Sequence, residues 1–219
     1  MQADGLVPNF AALQALALPG LDADAWLAAA QSFGARYAVL VADHMTGFAL
    51  WPTRAHNASV ASTAWRGGKG DVVRDFLTAC AARGVAPGVF YSTHFNWVLG
   101  VNNYAVGWPR LFGGPTLTQR EAEDVMLAQL EELAAYQADA QPWAEIWFDG
   151  GVDTVITPRV GPAVRALFPT AMCHSCSNFS QANATSRAGG RAIRWMGNEE
   201  GAAPLPSWGA SSAALQPCT

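Results

Sequence analysis

Two short segments hold carboxylates where reactive groups would be useful. In EIWFDGG, residues 145–151, Asp149 follows an apolar run and precedes two glycines. Asp-Gly is a common turn dipeptide, so Asp149 reads either as the residue that closes a strand or as a reactive group at the end of one. The apolar lead-in of Trp147 and Phe148 favours the second reading, because an ionised carboxylate in buried surroundings is costly without a partner or a purpose. In RWMGNEEG, residues 194–201, Glu199 and Glu200 stand in a Gly-flanked turn, where the plain alternative is a solvated pair of surface charges. Two carboxylates held about 5–5.5 Å apart across a glycosidic bond support double displacement. One attacks the anomeric carbon, and the other protonates the leaving oxygen and later activates water. The acid needs a raised pKa, which a neighbouring carboxylate and partial burial supply.

Other residues sort by the same test. His44, in ADHMTGFALW, directly follows an apolar run and is either structural or a polar contact for a ligand. The chain has nine tryptophans, and Trp51, Trp65, Trp97, Trp147 and Trp195 fall near strand ends or loops. Core packing accounts for most tryptophans, but aromatic faces beside two carboxylates also suit the apolar C–H faces of sugar rings. GGKGD, residues 67–71, lacks the spacing of a phosphate-binding loop and reads as the lead into a helix. Cys173 and Cys176 form a C-x-x-C in CHSC without a second pair at zinc-finger spacing, so a disulfide or buried thiols are expected for the four cysteines.

These groups must be positioned by alternating helices and strands. LDADAWLAAAQSFGA is a helix capped by Asp22 or Asp24, with Trp26, Ala29, Ala30 and Phe33 as its expected apolar face. Residues 37–44, YAVLVADH, form a strand, and GDVVRDFLTACAARG forms a helix that stops at Gly84. A strand in VAPGVFYSTHF leads to a long aromatic and Gly-rich loop over residues 95–117. Thr118 and Glu121 then open a helix over 118–138 in a capping-box pattern, before the AEIWFDGG strand. TPRVGPAVRALF with TAMCHSC, and a last strand in AIRWMGNE, complete the pattern. Apolar strands alternating with helices predict an α/β fold with a parallel sheet. Polar and aromatic residues recur at the C-terminal strand ends, where an eight-fold (β/α)8 TIM-like barrel carries its site. About five of the eight strands are recognisable, so the expectation is one incomplete barrel domain over residues 1–219.

Composition narrows the rest. The chain has 219 residues, 51% of them hydrophobic and 14% charged, enough for a sizeable core. A net charge of −4 without a basic stripe argues against a nucleic-acid partner. No apolar run approaches the roughly 20 residues of a membrane span, and no signal peptide is visible. Asn57, Asn178 and Asn183 nevertheless open glycosylation sequons, which point toward the secretory route.

Taken in order, LDADAWLAAAQSFGARYAVLVADHMTGFALWPTR, WRGGKGDVVRDFLTACAARGVAPGVFYS, AEIWFDGG and RWMGNEEG resemble the α-L-fucosidases of glycoside hydrolase family 29, over roughly residues 20–209. GGKGDVV and the GNE turn look closer to the branch acting on α-1,3/1,4-linked fucose. The resemblance implies a retaining hydrolase on a barrel, without a cofactor or metal, acting on fucosylated oligosaccharides or glycoprotein glycans in a secreted, lysosomal or vacuolar setting. The expectation is a catalytic domain without the family's usual β-sandwich. By that resemblance Asp149 is the nucleophile and Glu199 the acid/base, with Glu200 as runner-up. His44, Tyr91 and Trp147 match substrate-binding positions, and Trp51 and Trp195 match further ones. The family segment AKHHDGF is ADHMTGF here, so Asp43, Met45 and Thr46 replace a lysine, the second histidine and an aspartate. Those replacements give the alternative expectation of a catalytically impaired or non-catalytic glycan-binding barrel.

Overall fold

The computed structural model describes residue 15 and residues 17–149, 157–174 and 192–193. Five parallel strands make one sheet: β1 (Tyr37–Val41), β2 (Ala86–Ser92), β5 (Glu145–Asp149), β6 (Met172–His174) and β7 (Ala192–Ile193), side by side in that order. Helices α1 (Ala23–Ser32), α2 (Val72–Arg83), α3 (Gln119–Asp139) and α4 (Thr157–Leu167) alternate with them along the chain. Sequential parallel strands joined by helices make an α/β sheet of barrel type, as the patterning predicts.

The helix ends follow from local chemistry. Asp22, rather than Asp24, caps α1 by accepting the Ala25 amide at 2.9 Å. Asp71 caps α2 by accepting from Arg74 N, and Gly84 closes that helix in the left-handed conformation. Asp71 also accepts the Tyr136 hydroxyl at 2.7 Å, which ties the start of α2 to the far end of α3. Thr118 and Glu121 complete the capping box of α3.

The sheet has two unlike faces. Leu40 and Ala42, Val89 and Tyr91, and Ile146 and Phe148 point one way into the main core. There they meet Val73, Phe76, Leu77 and Cys80 of α2 and Ala122, Met126, Leu130 and Leu133 of α3. The other face carries Val39 and Val41, Phe90 and Ser92, and Trp147 and Asp149; it corresponds to the lumen of a barrel. Gly88 sits on this face because a Cβ there would lie 2.9 Å from Val39 and 3.2 Å from Glu145.

Two expectations change. On α1 the buried residues are Ala23 and Leu27, while Trp26 and Phe33 are 46% and 80% exposed, so the expected apolar face is not the packed one. The 95–117 segment is not a plain loop, since it folds an antiparallel hairpin of β3 (Val101–Asn102) and β4 (Ala105–Val106). Cys80 is a buried free thiol raised to about 12 by burial, and Cys173 is disulfide-bonded. Cys176, Cys218 and the sequons at Asn178 and Asn183 lie outside the described residues, whereas Asn57 is exposed.

A buried polar chain joins sheet and helix. Tyr91 donates to Gln129 Oε1 at 2.7 Å, and Gln129 Nε2 lies 2.9 Å from His56 Nε2. Burial lowers the His56 pKa from 6.5 to about 4, a pull that its own backbone and Glu132 only partly offset. The unfolded chain therefore binds a proton between those pH values that the folded chain refuses. Stability conferred by neutral His56 is present above pH 6.5 and lost as pH falls toward 4, with a slope approaching about 1.4 kcal/mol per pH unit. Denaturant unfolding over that range should show a steeper acid loss for the wild type than for His56→Gln.

Candidate active site

Asp149 is the last residue of β5, the central strand of the sheet, at its C-terminal end. The register sets Ser92 opposite Asp149 and Phe90 opposite Trp147. Ser92, fully buried, donates to the Phe95 carbonyl at 2.8 Å and lies 3.3 Å from Asp149 Oδ2. One hydroxyl proton cannot serve both acceptors at full strength, so the shorter bond to Phe95 holds it and the carboxylate keeps lone pairs for other work.

Beside this pair lies a row of rings. His44 stacks on Phe90 with centroids 5.5 Å apart, and Phe90 meets Trp147 edge-on at 5.6 Å. His44 is exposed, Trp147 and Asp149 are half-buried, and Phe90 forms the floor between them. A polar rim, an aromatic floor and a half-buried carboxylate can hold a ring bearing hydroxyls on one face and C–H bonds on the other.

Two interloop ties fix the rim. Trp97 N donates to Met45 O at 2.9 Å and Val98 N to Thr46 O at 3.2 Å, lacing the loop after β1 to the loop after β2. Gly47, at φ 77°, fits this crossing because a Cβ would collide with the Asn96 amide. Beneath it Asp43 is 1% exposed, and Asn96 Nδ2 donates to its Oδ2 at 3.4 Å. Burial holds the Asp43 carboxyl well above the usual range, and the His44 amide offsets little of that.

Tyr91 and Trp51 stand elsewhere than the resemblance implies. Tyr91 is 0% exposed and points into the helix layer at Gln129. Trp51 is 1% exposed and donates from Nε1 to Glu132 Oε2 on α3 at 2.9 Å. Both are core residues tied to α3, because successive residues of a strand alternate faces and the turn after β1 packs under the helix. Phe90 and Ser92 are the residues that sequence reading missed. Counting by twos across the β2–β5 register from Asp149 finds them. Glu199, Glu200 and Trp195 lie outside the described residues.

The α-L-fucosidase family profile matches residues 9–197. The chain belongs to the α-L-fucosidase family. A rice protein (Oryza sativa subsp. japonica) named as a candidate alpha-L-fucosidase 1 is 31% identical over 196 residues, covering 86% of this chain and 32% of the relative. Alpha-L-fucosidase 1 of Arabidopsis thaliana is 29% identical over 199 residues, again 32% of its length. The chain thus spans about a third of these curated relatives. The crystal structure of a candidate α-L-fucosidase from Bacteroides thetaiotaomicron superposes with a TM-score of 0.64 at 28% identity, over 87% of this chain and 37% of that one. The parallel sheet is therefore the same α/β arrangement as part of a family barrel.

Two outcomes are expected here. In this α-L-fucosidase family member burial raises the Asp43 carboxyl above its unfolded value of 3.8, so its presence erodes stability as pH rises beyond 3.8. Asp43→Asn should raise Tm at pH 7, with the gain shrinking as pH is lowered toward 4. Tyr91→Phe should cost about 1–3 kcal/mol by stranding the Gln129 carbonyl, measured by denaturant unfolding, without changing KM for any substrate the site takes.

Proposed function

We propose that this chain is a retaining α-L-fucosidase catalytic domain with Asp149 as nucleophile and Glu199 as acid/base. Asp149 attacks the anomeric carbon of a terminal α-linked L-fucose, and Glu199 gives its proton to the leaving glycan oxygen as the old bond breaks. Water then attacks the same carbon, its proton returns to Glu199, and Asp149 is released with the anomeric configuration retained. The carrying observation is the placement of Asp149 at the C-terminal end of the central strand, on the lumen face. Ser92 and the His44–Phe90–Trp147 row flank it there.

His44 is the hydroxyl contact in this reading, Phe90 and Trp147 are the apolar floor, and fucosylated glycans are the substrate class. GGKGDVV and the GNE turn support α-1,3/1,4-linked fucose as the preferred linkage. Asp43 favours a second reading, a glycan-binding barrel without turnover. A buried carboxyl, its pKa raised by desolvation, replaces a lysine of the family segment and offers the site no cation.

An aryl α-L-fucoside separates the two. Release of the aryl group, with the α-anomer of fucose as first product by NMR, is the expected outcome. Asp149→Ala should lower that rate by on the order of 10³-fold or more, and an undiminished rate in the variant removes Asp149 from the nucleophile role. Saturable fucoside binding without turnover by the wild type supports the non-catalytic reading.

A further inference from the structure

His174 ends β6, one strand away from the strand that carries Asp149. It pairs with Trp147 of β5 on one side and with Ile193 of β7 on the other, so its backbone is held between two neighbours. Its face follows from the residues before it. Cys173, disulfide-bonded, packs against the main core, while Met172 is 38% exposed. Successive strand residues alternate faces, so Met172 and His174 belong to the lumen face with Trp147 and Asp149.

The register thus extends the site by one strand. Val41, Phe90, Trp147 and His174 fall on one level across four adjacent strands, and His44 stacks on Phe90 at the far end. The aromatic floor of Phe90 and Trp147 has a histidine at each end of its row. With strands about 4.8 Å apart and a rise of about 3.3 Å per residue, the His174 backbone lies about 8 Å from that of Asp149. It stands on the side of β5 away from Ser92, within side-chain reach of a ring seated on Trp147.

The sequence of the β1 loop shows what such a residue is needed for. Met45 stands where the family segment has its second histidine, which leaves His44 as the histidine of that loop. A thioether is a weak acceptor and cannot donate, whereas a neutral imidazole does both and so pairs with a hydroxyl in either role. The chain has four histidines. His56 lies against Gln129 of α3, and His94 meets Asn103 in the loop after β2. We propose that His174 is the second hydroxyl ligand of the fucosyl ring, supplied from β6 in place of the histidine that position 45 lacks. This rests on the reading of Asp149 as the fucosyl site. The contact moves from a loop to a strand end paired on both sides, which keeps it preorganised.

L-fucose is titrated into the whole chain carrying isotope-labelled histidine and followed by NMR. The His44 and His174 ring resonances should shift, and that of His56 should not. His174→Phe keeps a flat ring without its nitrogens and should weaken L-fucose binding about three- to ten-fold, the worth of one hydrogen bond. Adding Met45→His should restore the affinity, which a merely structural role of His174 would not allow. That substitution is tolerable because position 45 ties the rim through its carbonyl. The ring shift needs no variant, so misfolding of His174→Phe, checked by circular dichroism, leaves the test intact. A His174 ring unmoved by saturating L-fucose, no L-fucose binding at all, undiminished affinity in folded His174→Phe, or no restoration by Met45→His overturns the proposal. Turnover of an aryl α-L-fucoside is measured in parallel. Turnover whose KM does not depend on His174 overturns the ligand assignment alone. His174-dependent L-fucose binding without turnover overturns the catalytic reading and leaves the assignment standing.

Discussion

The β2–β5 pairing is the constraint on which the site depends. Parallel hydrogen bonding aligns Phe90 with Trp147 and Ser92 with Asp149, while the pleat sends Tyr91 and Phe148 to the opposite face. A slip of one residue in either strand would bury the carboxylate among the helices and turn Phe148 into the lumen. The register is held by the apolar demand of the helix side. Tyr91, Phe148, Ile146 and Val89 have no accessible surface to spare, and burying each is worth roughly 1.5–3 kcal/mol. The geometry of the reactive face is thus a by-product of packing on the unreactive one.

Helix α3 is the second constraint, since its core face is not purely apolar. Gln129 reaches Tyr91 and His56, Glu132 receives the Trp51 indole and the Arg54 amide, and Tyr136 holds Asp71. Each bond joins a different part of the chain to one rigid rod, so the turn after β1, the start of α2 and strand β2 share a frame. Buried polar groups that are satisfied in this way specify an arrangement more sharply than apolar contacts, which tolerate sliding.

Above this frame the two strand-end loops are laced through Met45, Thr46, Trp97 and Val98. The β1 loop uses backbone groups for the tie, so the side-chain departures at Met45 and Thr46 leave it intact. Asp43 is different, because it sits where charge is expensive and one amide donor is all it receives from Asn96. The rim of the site is therefore kept by backbone bonds and by the Asn96–Asp43 contact.

Much of this was legible in the residues. Asp71, Thr118 with Glu121, and Gly84 mark their helix ends because capping is local chemistry. The apolar strands declare a parallel sheet, and WFDGG places a carboxylate at a strand end. The misreadings have one cause. Periodicity points Trp26 and Phe33 to the packed face of α1, and the family resemblance points Tyr91 and Trp51 to the pocket, but aromatic identity does not say which way a side chain points. Direction is set by register and by what stands opposite, and both are long-range. The hairpin that stacks Tyr104 on His94 is of the same kind: Tyr104 is an unusual residue for positive φ, and bonds to Gln119 and the His94 carbonyl, with packing against the core, hold it there. The sequence by itself determined the alternation of elements and the chemistry available at their ends. The tertiary structure decided which of those groups share a face, because that depends on the pairing of strands more than fifty residues apart, such as Ser92 with Asp149.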